Sequence, residues 1–388
     1  MDYTKLLSSK ACGIQPSGIR KFFDLLDGRK DVVALTVGQP DFKTPWHIRE
    51  AGIDSLTKGK TYYTANSGMM SLRNEISEYL NRRFSLSYNA EKEIIVTVGG
   101  SEAIDIAVRA MVDVGDEVII PTPSFVCYEP IVSLAGGVPV IMETKREDDF
   151  KINAETLKSL ITNKTKLLIL PFPNNPTGAV LDRENLEEIA SVLRDTNIAV
   201  LSDEIYAELT YDHVHESIAS IEGMRERTVI ASGFSKAYAM TGWRMGYCVA
   251  PAPITEQMYK IHQYAIMCAP TVSQYASVEA LKNGDADIEM MKREYNRRRK
   301  YIISGLRNIG IDCFEAKGAF YVFPKIGDFG MSSDEFCERL LNENGVAIVP
   351  GTAFGKGGEG FARISYAYSV NHIAEALERI EEFIKDKR

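Results

Sequence analysis

Between about residues 90 and 250, short β-rich runs alternate with helical stretches, and no other feature narrows the fold as much. "EIIVTVGG" reads as a strand. "SEAIDIAVRAMVDVG" reads as a helix, with Ile104, Ala107, Val108 and Met111 as its apolar stripe and Gly115 as its stop. "DEVIIPTP", "VPVIME" and "TKLLILPFP" follow as strands, then a helix with Leu186, Ile189 and Leu193 on one face, then "IAVLSDEIY" and "TVIASGFSK". Strands joined through helices pair in parallel, and the crossovers cover both faces of the sheet. The expectation is an α/β fold on a mostly parallel sheet.

The last hundred residues differ. A long polar helix around "DIEMMKREYNRRRKYIISGLRNIG" leads to "GAFYVFPKI", "VAIVPGTAF" and "GFARISYAYS". A final helix carries Ile373, Leu377, Ile380 and Ile384 on one face. A chain of 388 residues exceeds one ordinary core. The pattern therefore divides into residues 1–45 as an N-terminal arm and part of a small unit, 46–285 as a large unit, and 286–388 as a smaller α+β unit. Arg297, Arg298, Arg299 and Lys300 form the single basic cluster, which reads as a solvated helix face.

Several strands deliver an unusual polar residue at the carboxyl end, where open α/β sheets bind ligands. "KLLILPFPNNPTG" brings Asn175, "IAVLSDEIY" brings Asp203 and Tyr206, and "TVIASGFSK" brings Lys236. Each has a plainer reading. Asn175 before Pro176, Thr177 and Gly178 is good turn chemistry, Asp203 is a helix cap, and Lys236 is a surface lysine. Convergence of all three on one sheet edge favours a site. "TVGGSEAI" sets Gly99, Gly100 and Ser101 between strand and helix, where free N–H groups attract an anion. Arg244 and Ser235 can complete a phosphate clamp there. "GKGGEG" (355 to 360) precedes a strand and reads as a mobile loop, not a phosphate cradle.

A lysine amine, a buried carboxylate, a phenol, an amide and a phosphate pocket together suit pyridoxal 5'-phosphate. Its aldehyde needs an amine, and its pyridine nitrogen needs an acidic partner to stay protonated. Tyr206 and Asn175 can hydrogen-bond the ring's 3'-oxygen, and Phe125 in "PTPSFVCYEP" is available to stack on the ring. Serine-lysine hydrolase chemistry needs a serine three residues before the lysine. That position is Gly233, and Ser232 is one place too far.

Composition excludes other classes. The net charge is -8 with no dense basic patch, which argues against nucleic acid as a partner. No stretch approaches the roughly 18 uninterrupted apolar residues of a membrane span. "MDYTKLLSSKACG" holds no apolar segment for a signal peptide. Six scattered cysteines without a CxxC pair read as reduced thiols of a cytoplasmic protein. His213 and His215 lack the further ligands a zinc site needs, so no metal is expected.

"GFSKAYAMTGWRMG" resembles the lysine signature of the class I aminotransferases of pyridoxal-phosphate fold type I. "VGQPDF" (37 to 42), "PNNPTG", "SDEIY" and "GFARISYAYS" are similar to the family's other hallmark segments, in order. The resemblance spans the chain, including "PSGIRKFFDL" (16 to 25). It implies a seven-stranded, mostly parallel sheet in the large domain, and a ping-pong transamination from an L-amino acid to a 2-oxo acid, 2-oxoglutarate above all. Lys236 would hold the cofactor as an internal aldimine and shuttle a proton, with Asp203 on the pyridine nitrogen. Tyr206 and Asn175 would face the 3'-oxygen. Gly100, Ser101, Ser235 and Arg244 would surround the phosphate, with Phe125 on the ring and Glu102 also among the cofactor-binding residues.

Arg363 would grip the substrate α-carboxylate, a bidentate task suited to a guanidinium, with Gly38 offering backbone and Asn175 alongside. Tyr63 in "TYYTANSG" would reach the partner subunit's phosphate, which implies a homodimer with shared active sites. The chain departs from many relatives at Gly233, where they carry a serine; Ser232 or Ser235 would then take that role. Within the family, "SDEIYAELTYD", "HQYAIMCAP", "GAFYVFP" and "VAIVPGTAF" resemble the Gram-positive aromatic, aspartate and N-acetyl-diaminopimelate branch. A β-elimination lyase on the same fold is the alternative.

Overall fold

Leu167, Leu168, Ile169 and Leu170 are all buried, although successive strand residues face opposite sides of a sheet. A run apolar on both sides is stable only between two covering layers. Leu167 and Ile169 join one cluster with Leu201 and Val229, under Ile104, Ala107 and Val108 of the helix Gly100–Met111. Leu168 and Leu170 join the other with Val200, under Leu186, Ile189 and Leu193 of the helix Arg183–Leu193. Asp182 starts that second helix by accepting from the Asn185 N–H, with the Asn185 side chain reaching back.

The computed structural model describes residues 1, 3–16, 18–19, 29, 31–385 and 387. Ser17 and residues 20–25 of "PSGIRKFFDL" lie outside the described residues. Strand β1 is Val33–Ala34, β2 Ile94–Thr97, β3 Glu117–Thr122 and β4 Val138–Glu143. Strand β5 is Thr165–Leu170, β6 Ala199–Asp203, β7 Thr228–Gly233 and β8 Gly246–Val249. Seven strands form the main sheet in the order β2-β8-β7-β6-β5-β3-β4. All are mutually parallel except β8, which runs against both β2 and β7. The alternating pattern showed six of these strands. The seventh is short and opens directly from "GWRM", so it carries no periodicity of its own.

The C-terminal part adds β9 Tyr321–Val322, β10 Val346–Ala347, β11 Val349–Pro350 and β12 Ala362–Ser365. Strands β11, β12 and β9 form an antiparallel sheet, and β10 pairs in parallel with β1, which ties residues 33–34 to this part. Ile373, Leu377, Ile380 and Ile384 of the helix Val370–Lys385 are buried. Within "GKGGEG", Lys356–Gly358 closes into a 3-10 turn packed against Gly351.

The basic run on the helix Asp285–Asn308 corrects the sequence reading. Arg297 and Lys300 are exposed, but Arg298 and Arg299 are buried. Arg299 donates to Asp212 at 2.7 Å, to Glu315 at 3.1 Å and to the Ala316 carbonyl at 2.9 Å. Arg298 donates to both oxygens of Asp41, at 2.9 and 2.8 Å. A buried guanidinium is tolerated when remote acceptors satisfy it, and local charge patterning does not reveal them.

No helix among the described residues is long and apolar enough to cross a membrane. Among those residues no cluster of three or more His, Cys, Asp or Glu could hold a metal.

Candidate active site

The carboxyl ends of the parallel strands meet at one sheet edge. There they enclose a cleft of roughly 380 Å³, closed on its far side by residues of the arm and the C-terminal sheet. Lys236 lies three residues beyond the end of β7. Its Nζ donates to the Gly38 carbonyl at 2.6 Å. Burial, assisted by the charges of Arg363 and Arg244, lowers this amine from its ordinary value to about 8. A substantial neutral fraction is therefore present near physiological pH.

Asp203 is the last residue of β6 and lines the same cleft. Burial pushes its carboxyl upward, while the Tyr128 hydroxyl at 2.7 Å and the Ile205 N–H at 3.2 Å donate to it and pull it back. Tyr128 lies in the quoted "PTPSFVCYEP", three residues after Phe125, yet nothing in that stretch singles it out. Phe125 lines the cleft and packs edge-on against Tyr128, with centroids 6.2 Å apart. Tyr206 is buried, and its hydroxyl meets that of Tyr321 at 2.8 Å.

Arg363 arrives from β12. It is 2% exposed and donates to the side-chain oxygen of Asn175 at 2.9 Å and to the Thr36 carbonyl at 2.6 Å. Its Nε is buried without a partner. The guanidinium sits between the rings of Tyr321 and Phe354, at 4.6 and 4.8 Å from their centroids.

The anion end is built from glycine contacts. Gly99 has φ +78°, and Gly100 opens the helix whose first N–H groups face outward. A Cβ on Gly99 would fall 2.5 Å from Nη2 of Arg244, so the guanidinium lies directly against the turn. Because β8 is antiparallel, its amino end reaches the edge where the other strands have their carboxyl ends. That reversal brings Arg244, two residues before β8, to the cleft.

Gly246 pairs with Gly233 across β7 and β8. A Cβ on Gly246 would sit 2.5 Å from the Gly99 carbonyl carbon and 2.7 Å from the Gly100 nitrogen. A Cβ on Gly233 would sit 2.9 Å from the Gly246 Cα and the Met245 oxygen. A serine at 233 is thus sterically opposed here. Ser235 lines the cleft, whereas Ser232 donates to the Glu204 carbonyl at 3.3 Å and does not.

Of the residues singled out from the sequence, Gly38, Gly100, Ser101, Phe125, Asn175 and Asp203 line the cleft, as do Tyr206, Ser235, Lys236, Arg244 and Arg363. Two do not. Tyr63 is 78% exposed on the outer surface. Glu102 turns its side chain away, accepting from the Val98 N–H and from buried His262 at 2.6 Å. The Glu102 carboxylate is therefore a brace behind the turn rather than a lining group. His262 also contacts the Asn66 carbonyl at 2.7 Å, so it links the turn to the loop that bears Tyr63.

An amine lowered to about 8, a buried carboxylate, a guanidinium with a spare donor and a helix start with free N–H groups fit a phosphorylated aldehyde cofactor. The unpartnered Nε of Arg363 and the glycine-walled turn leave room for the anionic groups such chemistry brings.

Known proteins resemble this chain over nearly its whole length. Residues 30–380 match the family model described as aminotransferase class I and II. The chain is 53% identical over 381 residues to a putative aminotransferase, YugH, of Bacillus subtilis, covering 98% of this chain and 99% of that one. It is 44% identical over 383 residues to a probable N-acetyl-LL-diaminopimelate aminotransferase of the same organism, covering 99% and 97%. The crystal structure of an aromatic aminotransferase from Pyrococcus horikoshii superposes with a TM-score of 0.90 at 44% identity, covering 95% of this chain and 99% of that one.

Proposed function

The chain belongs to the class I and II aminotransferases, a family that works with pyridoxal 5'-phosphate, and on that premise we propose that it transfers the amino group of an L-amino acid to 2-oxoglutarate in a two-stage, ping-pong cycle. The observation that carries this reading is the convergence of Lys236, Asp203 and the Asn175–Arg363 pair on one cleft.

When bound, the cofactor supplies an aldehyde that an amine can capture and a ring that draws electrons from the substrate's α-carbon. Lys236 would anchor the cofactor through Nζ, and its amine would move a proton there. Asp203 holds negative charge against the ring nitrogen. Asn175 spends its oxygen on Arg363, which leaves its amide N–H groups for the ring oxygen beside Tyr206. Gly100, Ser101, Ser235 and Arg244 take the phosphate, and Phe125 covers the ring. Arg363 takes the substrate carboxylate, next to the backbone of Gly38.

In this reading residues 46–285 form the cofactor-binding domain, and 286–388 with the arm 1–45 form the smaller one. Tyr63 belongs to a homodimer with shared sites. Tyr62, Tyr63, Tyr264 and Met267 are exposed, and Asn66 ties their two segments together by donating to the Met267 carbonyl at 2.7 Å. Such a patch is ready to be covered by a second copy. The six free cysteines fit a cytoplasmic setting.

The amino donor is aromatic, acidic or of the N-acetyl-diaminopimelate type. Donor profiling against 2-oxoglutarate tests both parts of the proposal: one class should dominate, with activity strictly dependent on the acceptor. Pyruvate and ammonia released from cysteine-type substrates without an acceptor would instead establish a β-elimination lyase.

A further inference from the structure

Tyr321 opens β9, lines the cleft and is 1% exposed. Its ring lies under the Arg363 guanidinium, and its hydroxyl sits so close to Gly38 that a Cβ there would be 2.5 Å away. The hydrogen bond to the Tyr206 hydroxyl is the one its own hydroxyl makes among the described residues.

A phenol carries a single hydrogen. Tyr206 therefore cannot donate to Tyr321 and to a cofactor oxygen at once. A buried hydroxyl deprived of its bond is costly, so the two tyrosines must share their hydrogens in a defined order. Burial raises both phenols and the Arg363 charge opposes that rise in both, but Tyr321, whose ring lies against the guanidinium, is raised less and is the stronger donor.

We propose that Tyr321 is a positioning residue: its hydroxyl donates to that of Tyr206, which reserves the Tyr206 hydrogen for the cofactor's ring oxygen. Tyr321 thereby controls the protonation of the Lys236–cofactor linkage through Tyr206. This inference rests on the contact assigned to Tyr206 above. A hydrogen bond to the ring oxygen stabilises negative charge there and favours the unprotonated linkage. Donors in a chain also polarise and strengthen one another.

The test is a pH titration of the visible absorbance of the holoenzyme, comparing wild type with Tyr321→Phe, Tyr206→Phe and the double variant. Tyr321→Phe keeps the ring beneath Arg363 and removes only the hydroxyl. The linkage pKa should rise by about half a unit in Tyr321→Phe and further in Tyr206→Phe, and the double variant should match Tyr206→Phe. An unchanged or lowered pKa in Tyr321→Phe overturns the inference, a fall meaning that Tyr206 had been giving its hydrogen to Tyr321. An equal rise from Tyr321→Phe in both backgrounds overturns it too, because Tyr321 would then act by another route. No shift in Tyr206→Phe itself would instead remove the underlying contact, and the inference with it.

Discussion

Arg363 and Asn175, 188 positions apart, are joined by a 2.9 Å hydrogen bond from the guanidinium to the amide oxygen. The bond fixes which way both side chains face. It holds the Asn175 amide with its N–H groups free, and together with the Thr36 contact it aims the remaining guanidinium donors into the cleft. Arg363→Lys removes this planar fork. We expect kcat/KM for the amino donor to fall roughly 10²-fold, mostly through KM. Cofactor affinity should change little. Steady-state kinetics beside a cofactor-binding titration separates the two.

Lys236→Ala should eliminate both covalent cofactor attachment and turnover, as seen in the visible spectrum and in the coupled assay. The wild-type amine also predicts a pH dependence. Only the neutral amine attacks an aldehyde, and Lys236 is lowered to about 8. Capture of added cofactor by cofactor-free protein should therefore quicken as pH rises and level off above about 8. A rate still climbing toward pH 10 in stopped-flow absorbance would contradict the burial argument.

On the proposed role of Asp203 as the ring's acidic partner, Asp203→Ala should still bind cofactor while turnover drops on the order of 10³-fold. Tyr128→Phe tests the same carboxylate more gently. The Tyr128 hydroxyl holds the Asp203 carboxyl down, so its loss raises that group further. The carboxylate form is then lost at higher pH as the solution is acidified, and the acid limb of the kcat profile should move upward. A limb that stays in place would uncouple Tyr128 from the chemistry.

Gly246→Ala and Gly233→Ser place a Cβ against backbone at 2.5 to 2.9 Å. Backbone yields less readily than a side chain, so each should destabilise the protein by about 1–3 kcal/mol and weaken cofactor binding. Thermal melting with and without cofactor measures both. A Gly233→Ser variant that binds cofactor more tightly would mean that the added hydroxyl reaches the phosphate after all.

Much of the site was legible because its residues end strands. Strand runs announce themselves locally, so the sequence alone sets Asn175, Asp203 and Lys236 on one edge. Tyr128 and Tyr321 could not. Each lies in a segment whose purpose is set by a partner far along the chain, Asp203 at a separation of 75 and Tyr206 at 115. Arg298 and Arg299 misled for the same reason, since their acids Asp41 and Asp212 lie 257 and 87 positions away.

The sequence by itself determined the alternating α/β scaffold, the side-chain types that follow the strand ends and the glycines at the turn before the helix Gly100–Met111. These follow from periodicity, side-chain type and local backbone freedom, which short stretches encode. Only the tertiary structure decided the antiparallel course of β8 that carries Arg244 to the cleft, the turning of Glu102 toward His262 and the pairing of Tyr321 with Tyr206. Hydrogen-bond partners are chosen by distance and direction in space, and no local pattern specifies a direction across a hundred residues.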